Sequence, residues 1–473
     1  MPNIILFWRS RLFGRCFDGL SRLTLLKRFW RSDSILLLRP LFSIAKNVAT
    51  FFDTQALMRS QFWPESKIIA LQIARMRALL SSAQHIPFWK VRFSEAGIDP
   101  PRLFGTAEIR KLPILTRAEL QRHDLSVLIH PQERVHIAIA DHTSGSTGRP
   151  LRFVLDRHYE LRSFSICERM FRAAGGGERV PVITVRARAR IGFAAKRGYW
   201  FYSWNYNSLR HRIHDLISLA APLRSRFVLY GFGSSLVELA RLRAETGADL
   251  SPRAVISAGE SLSSEQRNYL KRHLSADVFS CYSTRELGWL AYECDAHNLH
   301  TNPEWAYFEV VDEGGVPLPP GKEGRIIITT FDNLIMPFIR YDTGDRGTLS
   351  AFVECSCGRT SPLLRVNGRQ VEFIHLPDGR KVPFLDVFAI FDRFYGSIER
   401  FQVIQKSVHE IRVKIVPASP LFDRYKEGLR SDLQRILHPR VTISVESVSE
   451  IAAGPNGKAV YFKPLSEHDQ ANH

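Results

Sequence analysis

The stretch TSGSTGRP (Thr143–Pro150) places four hydroxyl side chains and two glycines within six residues, closed by a cation and a proline. Glycine lets backbone N–H groups approach an anion closely, and hydroxyls add further donors. The spacing departs from the GxxxxGK[ST] phosphate loop. Taken alone, the run reads equally as a polar turn between strands or as a cradle for phosphate oxygens. The residues around it decide between the two.

VHIAIADH (135–142) and LRFVLD (151–156) read as strands flanking the loop. Downstream, RFVLYGF (226–232) precedes the helical SSLVELARLRAETG, RAVISAGE (253–260) precedes SSEQRNYLKRHL, and ADVFSCYS follows as another strand. Strands alternating with helices predict a parallel sheet and an α/β architecture. Upstream, residues 66–83 carry helical periodicity and run into an extended IPFW. PILTRAEL (113–120) predicts a helix capped by Thr116, with Glu119 three residues later. EGRIIITTF (323–331) is a further strand. After about Asn367, FQVIQKSVHEIRVKIVP alternates like antiparallel strands, LFDRYKEGLRSDLQRIL is an amphipathic helix, and VTISVESVSEI is another strand before the Gly-rich AAGPNGKAVYF. The expected organisation is α/β. A basic N-terminal segment (1–62) leads into a large domain with mixed and parallel sheets (63–366), and a small, mobile α+β domain (367–473) follows.

The chain has 473 residues, room for two or three domains, and its 45% hydrophobic and 24% charged residues are those of a globular protein. No apolar run reaches the roughly 18 residues of a spanning helix. The net charge of +18 favours anionic partners. Part of it is local: Arg9, Arg11, Arg15, Arg22, Lys27, Arg28 and Arg31 interleave with Phe7, Trp8, Phe13, Phe17 and several leucines. This segment reads either as resting on an acidic membrane surface or as a basic helix packed on the body by its apolar side. It lacks the clean apolar core of a cleaved signal peptide. The basic residues are otherwise spread and no nucleic-acid module is visible, so nucleic acid is not an expected partner. Six cysteines are too sparse for a disulfide scaffold and fit a reducing, cytoplasmic location, at most peripheral to the inner face of the membrane.

Five further elements follow TSGSTGRP in order: SAGE (Ser257–Glu260), CYSTRELG (Cys281–Gly288), IRYDTGD (Ile339–Asp345), VNGR (Val366–Arg369) and GPNGK (Gly454–Lys458). Each alone has a plain reading as core, turn or solvated charge. In this order they resemble the adenylate-forming superfamily, which includes acyl-CoA synthetases and luciferases. Within it the chain is most similar to the phenylacetate-CoA ligase branch. More narrowly it is similar to CapK-type proteins of capsular polysaccharide biosynthesis and to adenylyl ligases of deazaflavin coenzymes. The resemblance runs from about Trp63 to Lys463.

The resemblance implies that Thr143, Ser144, Gly145, Ser146, Thr147 and Gly148 grip the β- and γ-phosphates of ATP. It implies that Gly259 and Glu260 lie beside the adenine, that Tyr282 lies on it, and that Glu286 holds Mg²⁺. Asp345 would accept from both ribose hydroxyls, Arg369 would follow the hinge glycine, and Lys458 would stabilise charge at the acyl-phosphate centre. The chemistry agrees: attack of a carboxylate on an α-phosphate is promoted mainly by positioning and cations. Two positions depart from the family pattern. Arg285 stands where the broad family has a phosphate-binding hydroxyl, a mark of the narrower branch that still suits a phosphate oxygen. Val371, followed by Glu372, stands where the hinge residue is often Asp or Lys, which bears on the domain rotation of a second half-reaction.

ECDAHNLH supplies Cys294, His297 and His300, and ECSCGRT supplies Cys355 and Cys357. Three thiolates and one imidazole make a closed tetrahedral site for structural Zn²⁺, against the plain alternative of free buried cysteines. The resemblance favours His300 over His297.

The leading expectation is ATP- and Mg²⁺-dependent adenylation of a carboxylic acid, release of pyrophosphate, and transfer of the acyl group to coenzyme A, a carrier thiol or an amine. The acyl pocket is expected between residues 201–235 and the CYSTRELG strand. Two alternatives stand beside it: transfer of AMP onto a coenzyme or other acceptor, and a non-catalytic assembly factor for polysaccharide synthesis at the membrane surface.

Overall fold

The computed structural model describes residues 39–465, apart from 101–104, 106–107, 132–137, 143–150, 176–179, 187–191, 197–198, 206–215, 370–372, 419–421, 453–459 and a few single or paired positions. The phosphate-loop candidate at 143–150, Lys458, Val371 and Glu372 therefore lie outside the described residues, as do residues 1–38 with their seven named cations.

Three helices come first: α1 (Arg39–Ser60), α2 (Glu65–Ala83) and α3 (Pro87–Glu95). The IPFW run expected to be extended is the start of α3. Pro87 sits at its first turn, where a missing N–H costs nothing and a fixed φ favours the helix. Two short helices follow, α4 (Arg117–Arg122) and α5 (Leu125–Leu128). Thr116 caps α4 by accepting from the Glu119 N–H, while the Glu119 carboxylate pairs with Arg92. The strands β1 (Ala138–His142) and β2 (Arg152–Asp156) pair antiparallel on either side of 143–150, and α6 (Arg157–Ala174) continues from β2.

An eight-stranded sheet forms the centre. It contains β3 (Val182–Arg186), β4 (Gly192–Lys196), β5 (Tyr199–Asn205), β6 (Val228–Gly231), β7 (Ala254–Ala258), β8 (Asp277–Thr284), β9 (Gly288–Glu293) and β10 (Leu299–Thr301). Their order across the sheet is β10-β9-β8-β7-β6-β3-β5-β4. The run from β5 through β3, β6 and β7 to β8 is parallel, and the outer pairings are antiparallel. The helices α7 (Gly233–Thr246) and α8 (Ser264–Leu274) cross between β6, β7 and β8. Successive residues of a strand face opposite ways. Ile183, Leu229, Val255 and Val278 therefore pack with Leu236, Leu239 and Leu270 of α7 and α8, while Val182, Val228, Ile256 and Phe279 pack with Met170 and Phe171 of α6. A parallel sheet covered on both faces explains why its strands read as unbroken apolar runs.

A second, antiparallel sheet follows: β11 (Ala306–Val311), β12 (Glu323–Thr330), β13 (Tyr341–Leu349) and β14 (Leu364–Arg369), paired in that order. From Ile374 onward the apolar residues form a separate core cluster. It is built from the ribbon of β15 (Phe373–His375) and β16 (Lys381–Pro383), the helix α9 (Phe422–Ile436), and a sheet of β17 (Ile398–Ser407), β18 (Glu410–Pro417), β19 (Thr442–Ser447) and β20 (Phe462–Lys463) in the order β19-β18-β17-β20. The β17–β18 hairpin is antiparallel as expected, whereas β19 and β20 join it parallel.

Residues 39–62 are not separate from the large body. Leu57 lies in the main core, and Ser60 donates to Glu304 Oε1 at 2.5 Å. Arg169 of α6 reaches Glu304 through Nη1 at 2.8 Å and Nη2 at 3.2 Å, Asn302 at 2.8 Å and the Leu57 carbonyl at 3.0 Å. Burial raises the Glu304 carboxyl, but the Arg169 guanidinium and the Ser60 hydroxyl more than offset this and hold it at about 2. Its stabilisation is therefore full at neutral pH and is lost as pH falls from about 4.5 towards about 2. Arg169→Met should strand this carboxylate in the core and cost about 3–5 kcal/mol in urea unfolding. Glu304→Gln should flatten the acid limb of the stability profile.

Candidate active site

In an open parallel sheet, ligands meet the carboxyl ends of the strands. Here those ends carry Tyr230 and Gly231 (β6), Ser257 and Ala258 (β7) and Tyr282 to Thr284 (β8), with Gly259, Glu260, Arg285 and Glu286 in the turns that follow. Gly231 is required by close approach to backbone, and Gly233 sits in tight side-chain contact. A Cβ at Gly231 would stand 2.7 Å from the Val185 carbonyl oxygen, and one at Gly233 would stand 3.3 Å from Ser257 Oγ and 3.7 Å from Glu260 Oε2. The start of α7 thus packs directly onto the SAGE turn, where Gly259 takes φ +71°.

The turn after β8 is held from several sides. Leu287 N–H donates to Thr284 Oγ1 at 3.1 Å, Trp305 Nε1 donates to the Leu287 carbonyl at 2.7 Å, and Tyr159 Oη donates to the Glu286 carbonyl at 3.2 Å. These bonds bury the Glu286 side chain and leave Arg285 exposed. Tyr341 Oη lies 3.4 Å from Glu286 Oε1. Burial, reinforced by the Glu286 charge, raises the Tyr341 and Tyr159 phenols well above their usual range, so both remain neutral donors. Neither tyrosine was read from sequence as a site residue. Tyr341 lies inside the IRYDTGD motif, but its direction towards Glu286 is visible only in the fold.

The second sheet brings Asp345. The side chain is buried, and Tyr282 Oη donates to its Oδ2 at 2.5 Å. Its own N–H donates to Thr343 Oγ1, and Gly344 turns the chain at φ +74° with its N–H on Asp342 Oδ1. Asp342 is in turn fixed by Arg325 Nη1 at 2.8 Å. Across the ladder, Asp345 is the register partner of Arg369. Tyr282, Glu286, Asp345 and the Arg369 backbone therefore converge where the two sheets meet.

A second cluster is formed by β10 and the loops that follow β9 and β13. Cys294, His300, Cys355 and Cys357 bring their ligand atoms within 4.8 Å of one another, the one such group of His, Cys or carboxylate residues among the described residues. Cys294 Sγ is 3.8 Å from Cys355 Sγ, and Cys357 Sγ is 3.6 Å from His300 Nε2. A tetrahedron with metal–sulfur bonds of about 2.3 Å has edges of about 3.8 Å. The fold thus brings together the four side chains named from the two cysteine motifs. His297 is drawn away into a network with Arg267, Glu293 and Asp277.

The local bonding suits a thiolate at Cys355. Cys355 Sγ accepts from the Cys357 N–H and from Asn298 Nδ2 at 3.3 Å, and Cys357 Sγ accepts from the Arg359 N–H. Burial opposes ionisation of Cys355, but these donors bring it down to about 7, whereas burial and the neighbouring sulfurs push Cys357 up to about 12. Burial, helped by Arg359, lowers His300 to about 4. The imidazole is thus neutral at pH 7. Its Nδ1 is 3.1 Å from the Ser361 carbonyl, which fixes the tautomer and leaves the Nε2 lone pair towards the sulfurs.

Residues 374–463 match the family described as the CapK C-terminal domain. Phenylacetate-coenzyme A ligase of Thermus thermophilus is 23% identical over 402 residues, covering 78% of this chain and 86% of that protein. Its Escherichia coli namesake is 23% identical over 298 residues, 58% of this chain and 66% of that protein. Among solved structures, 2-hydroxyisobutyryl-CoA ligase in the postadenylation state with R3-HIB-AMP superposes with a TM-score of 0.71 at 18% identity, covering 87% of this chain and 93% of that one. The same ligase in the thioesterification state, with 2-HIB-AMP and CoA, gives 0.56. The fold is that of the adenylate-forming enzymes. The chain is similar in sequence to phenylacetate-CoA ligases over most of its length, and its residues 374–463 match the CapK C-terminal domain.

Gly288 closes the turn that carries Glu286. Its φ is +72°, and a Cβ there would meet Trp305 Cζ2 and Tyr159 Oη at 3.0 Å each. Gly288→Ala should lower stability by about 1–3 kcal/mol and shift the melting temperature accordingly. Gly97→Ala has the same sign of φ but open space around it, and should cost less.

Proposed function

We propose that this protein activates a carboxylic acid with ATP, releasing pyrophosphate and forming an acyl-adenylate, and then passes the acyl group to coenzyme A or another thiol or amine. The observation that carries this reading is the convergence of Tyr282, Glu286 and Asp345, with Arg369 across the ladder, at the carboxyl ends of a parallel sheet. The relatives named as CoA ligases support the second step.

In this reading TSGSTGRP holds the β- and γ-phosphates, and Gly259 and Glu260 flank the adenine. Asp345 exchanges the Tyr282 hydroxyl for ribose hydroxyls, which frees the phenol ring to lie on the base. Glu286 offers the hard oxygen that Mg²⁺ prefers, and Tyr341 orients that oxygen. Mg²⁺ would neutralise phosphate charge there. Arg285, exposed at the rim, and Lys458 and Arg369 supply cations where negative charge gathers as the carboxylate oxygen attacks the α-phosphorus. A lysine carried by a small second domain would switch the site between half-reactions. The acyl group would enter beside Tyr230, Trp289 and the end of β6. Cys294, His300, Cys355 and Cys357 would hold a structural Zn²⁺, since their spacing and N–H···S bonds suit a closed tetrahedral site.

A setting in polysaccharide biosynthesis is the finer proposal, carried by the resemblance to CapK-type proteins alone. The cations between Ile4 and Arg31 support contact with the inner, acidic face of a membrane. No described helix is long and apolar enough to cross one.

The test is carboxylate-dependent exchange of labelled pyrophosphate into ATP across a panel of acids. One acid should drive exchange, and Glu286→Ala and Lys458→Ala should each reduce it by about 10²–10³. Binding of ATP with no exchange for any acid would move the reading to AMP transfer or to an assembly role. The purified protein should also carry one zinc per chain by elemental analysis, lost on conversion of Cys357 to Ser.

A further inference from the structure

Arg359 follows the Cys355–Cys357 knuckle and is almost fully buried. Its guanidinium lies 4.3 Å from the centroid of the Tyr292 ring. Its Nη1 has no hydrogen-bond partner among the described residues. It shares the wall of a small cavity with Arg169, Glu304, Tyr292 and His300. Glu304 is the carboxylate in that wall, and both its oxygens are committed to Arg169 and Ser60. A buried cation without an anion is strongly disfavoured. Among the described residues this positive charge has no carboxylate assigned to it, and it lies two residues from a proposed cysteine ligand.

The metal-thiolate centre has the opposite imbalance. Three thiolates and a neutral imidazole around a divalent cation leave one net negative charge, partly buried. The Arg359 backbone N–H already donates to Cys357 Sγ, and Cys355 N–H donates to the Arg359 carbonyl at 3.2 Å. We infer that the Arg359 side chain is the counter-cation of the Cys294–His300–Cys355–Cys357 centre, holding its metal by charge while the Tyr292 face holds the guanidinium. Arg359 is thus a positioning and charge-balancing residue, not a ligand. The inference rests on the zinc reading above.

The experiment measures Zn²⁺ affinity of the full chain at neutral pH by competition with a chromophoric chelator, for wild type, Arg359→Lys and Arg359→Met. Cobalt substitution reports the ligand geometry through its thiolate absorption. Both variants keep the backbone N–H···S bond, so only the side chain is tested. Arg359→Met should bind Zn²⁺ about 10–100-fold more weakly. Arg359→Lys should stay much closer to wild type, with the cobalt spectrum unmoved in both. Equal affinity in wild type and Arg359→Met would overturn the inference. So would equal losses in the Lys and Met variants, which would assign the effect to packing on Tyr292. A wild-type protein that takes up neither zinc nor cobalt would overturn the zinc reading and this inference with it.

Discussion

The buried pair of Arg169 and Glu304 fixes the segment on which both clusters depend. Arg169 also holds Asn302, and Asn302 Nδ2 donates to the Trp289 carbonyl. Trp305, next along, holds the Leu287 carbonyl and fills the space beside Gly288. A series of bonds thus links the turn that carries Glu286 to an ion pair several steps away. Four residues before Glu304, His300 enters the cysteine cluster. One short run, 300–305, therefore serves two chemistries. Its rigidity comes from a charge pair whose removal would leave an ion in the core.

Sheet and helix types were legible because their causes are local. Parallel strands buried on both faces read as apolar runs such as AVISA and VLYG, and their crossover helices carry their own caps. Ser263 and Gln266 form a full capping box at α8, and Gly247 ends α7 in the left-handed region. IPFW misled because proline breaks a helix interior yet favours its first turn. The partners of β19 and β20 were not legible, since alternation reports a half-buried strand and not the direction of its neighbour.

The chemistry was legible where it is written in contiguous motifs. CYSTRELG and IRYDTGD name Tyr282 and Asp345, and the fold bonds the two side chains to each other. Spacing alone left His297 and His300 open, because the cysteine partners come 61 residues after Cys294 and 57 after His300, and the resemblance favoured His300. Tyr159, Arg169 and Arg359 carried no signal at all. A buried arginine is recognised by what surrounds it, and a lone Arg in sequence reads as surface charge.

One consequence of the last sheet concerns how far a side chain can travel. Phe462 is paired to Val403, and Ile451 is buried nearby in the chain. Four residues of extended backbone span at most about 14 Å. Chain length alone therefore keeps the backbone of Lys458 within that radius of Phe462. Under the proposed reaction, any longer excursion of this lysine to a reacting phosphate would have to carry the whole of β17 to β20 with it.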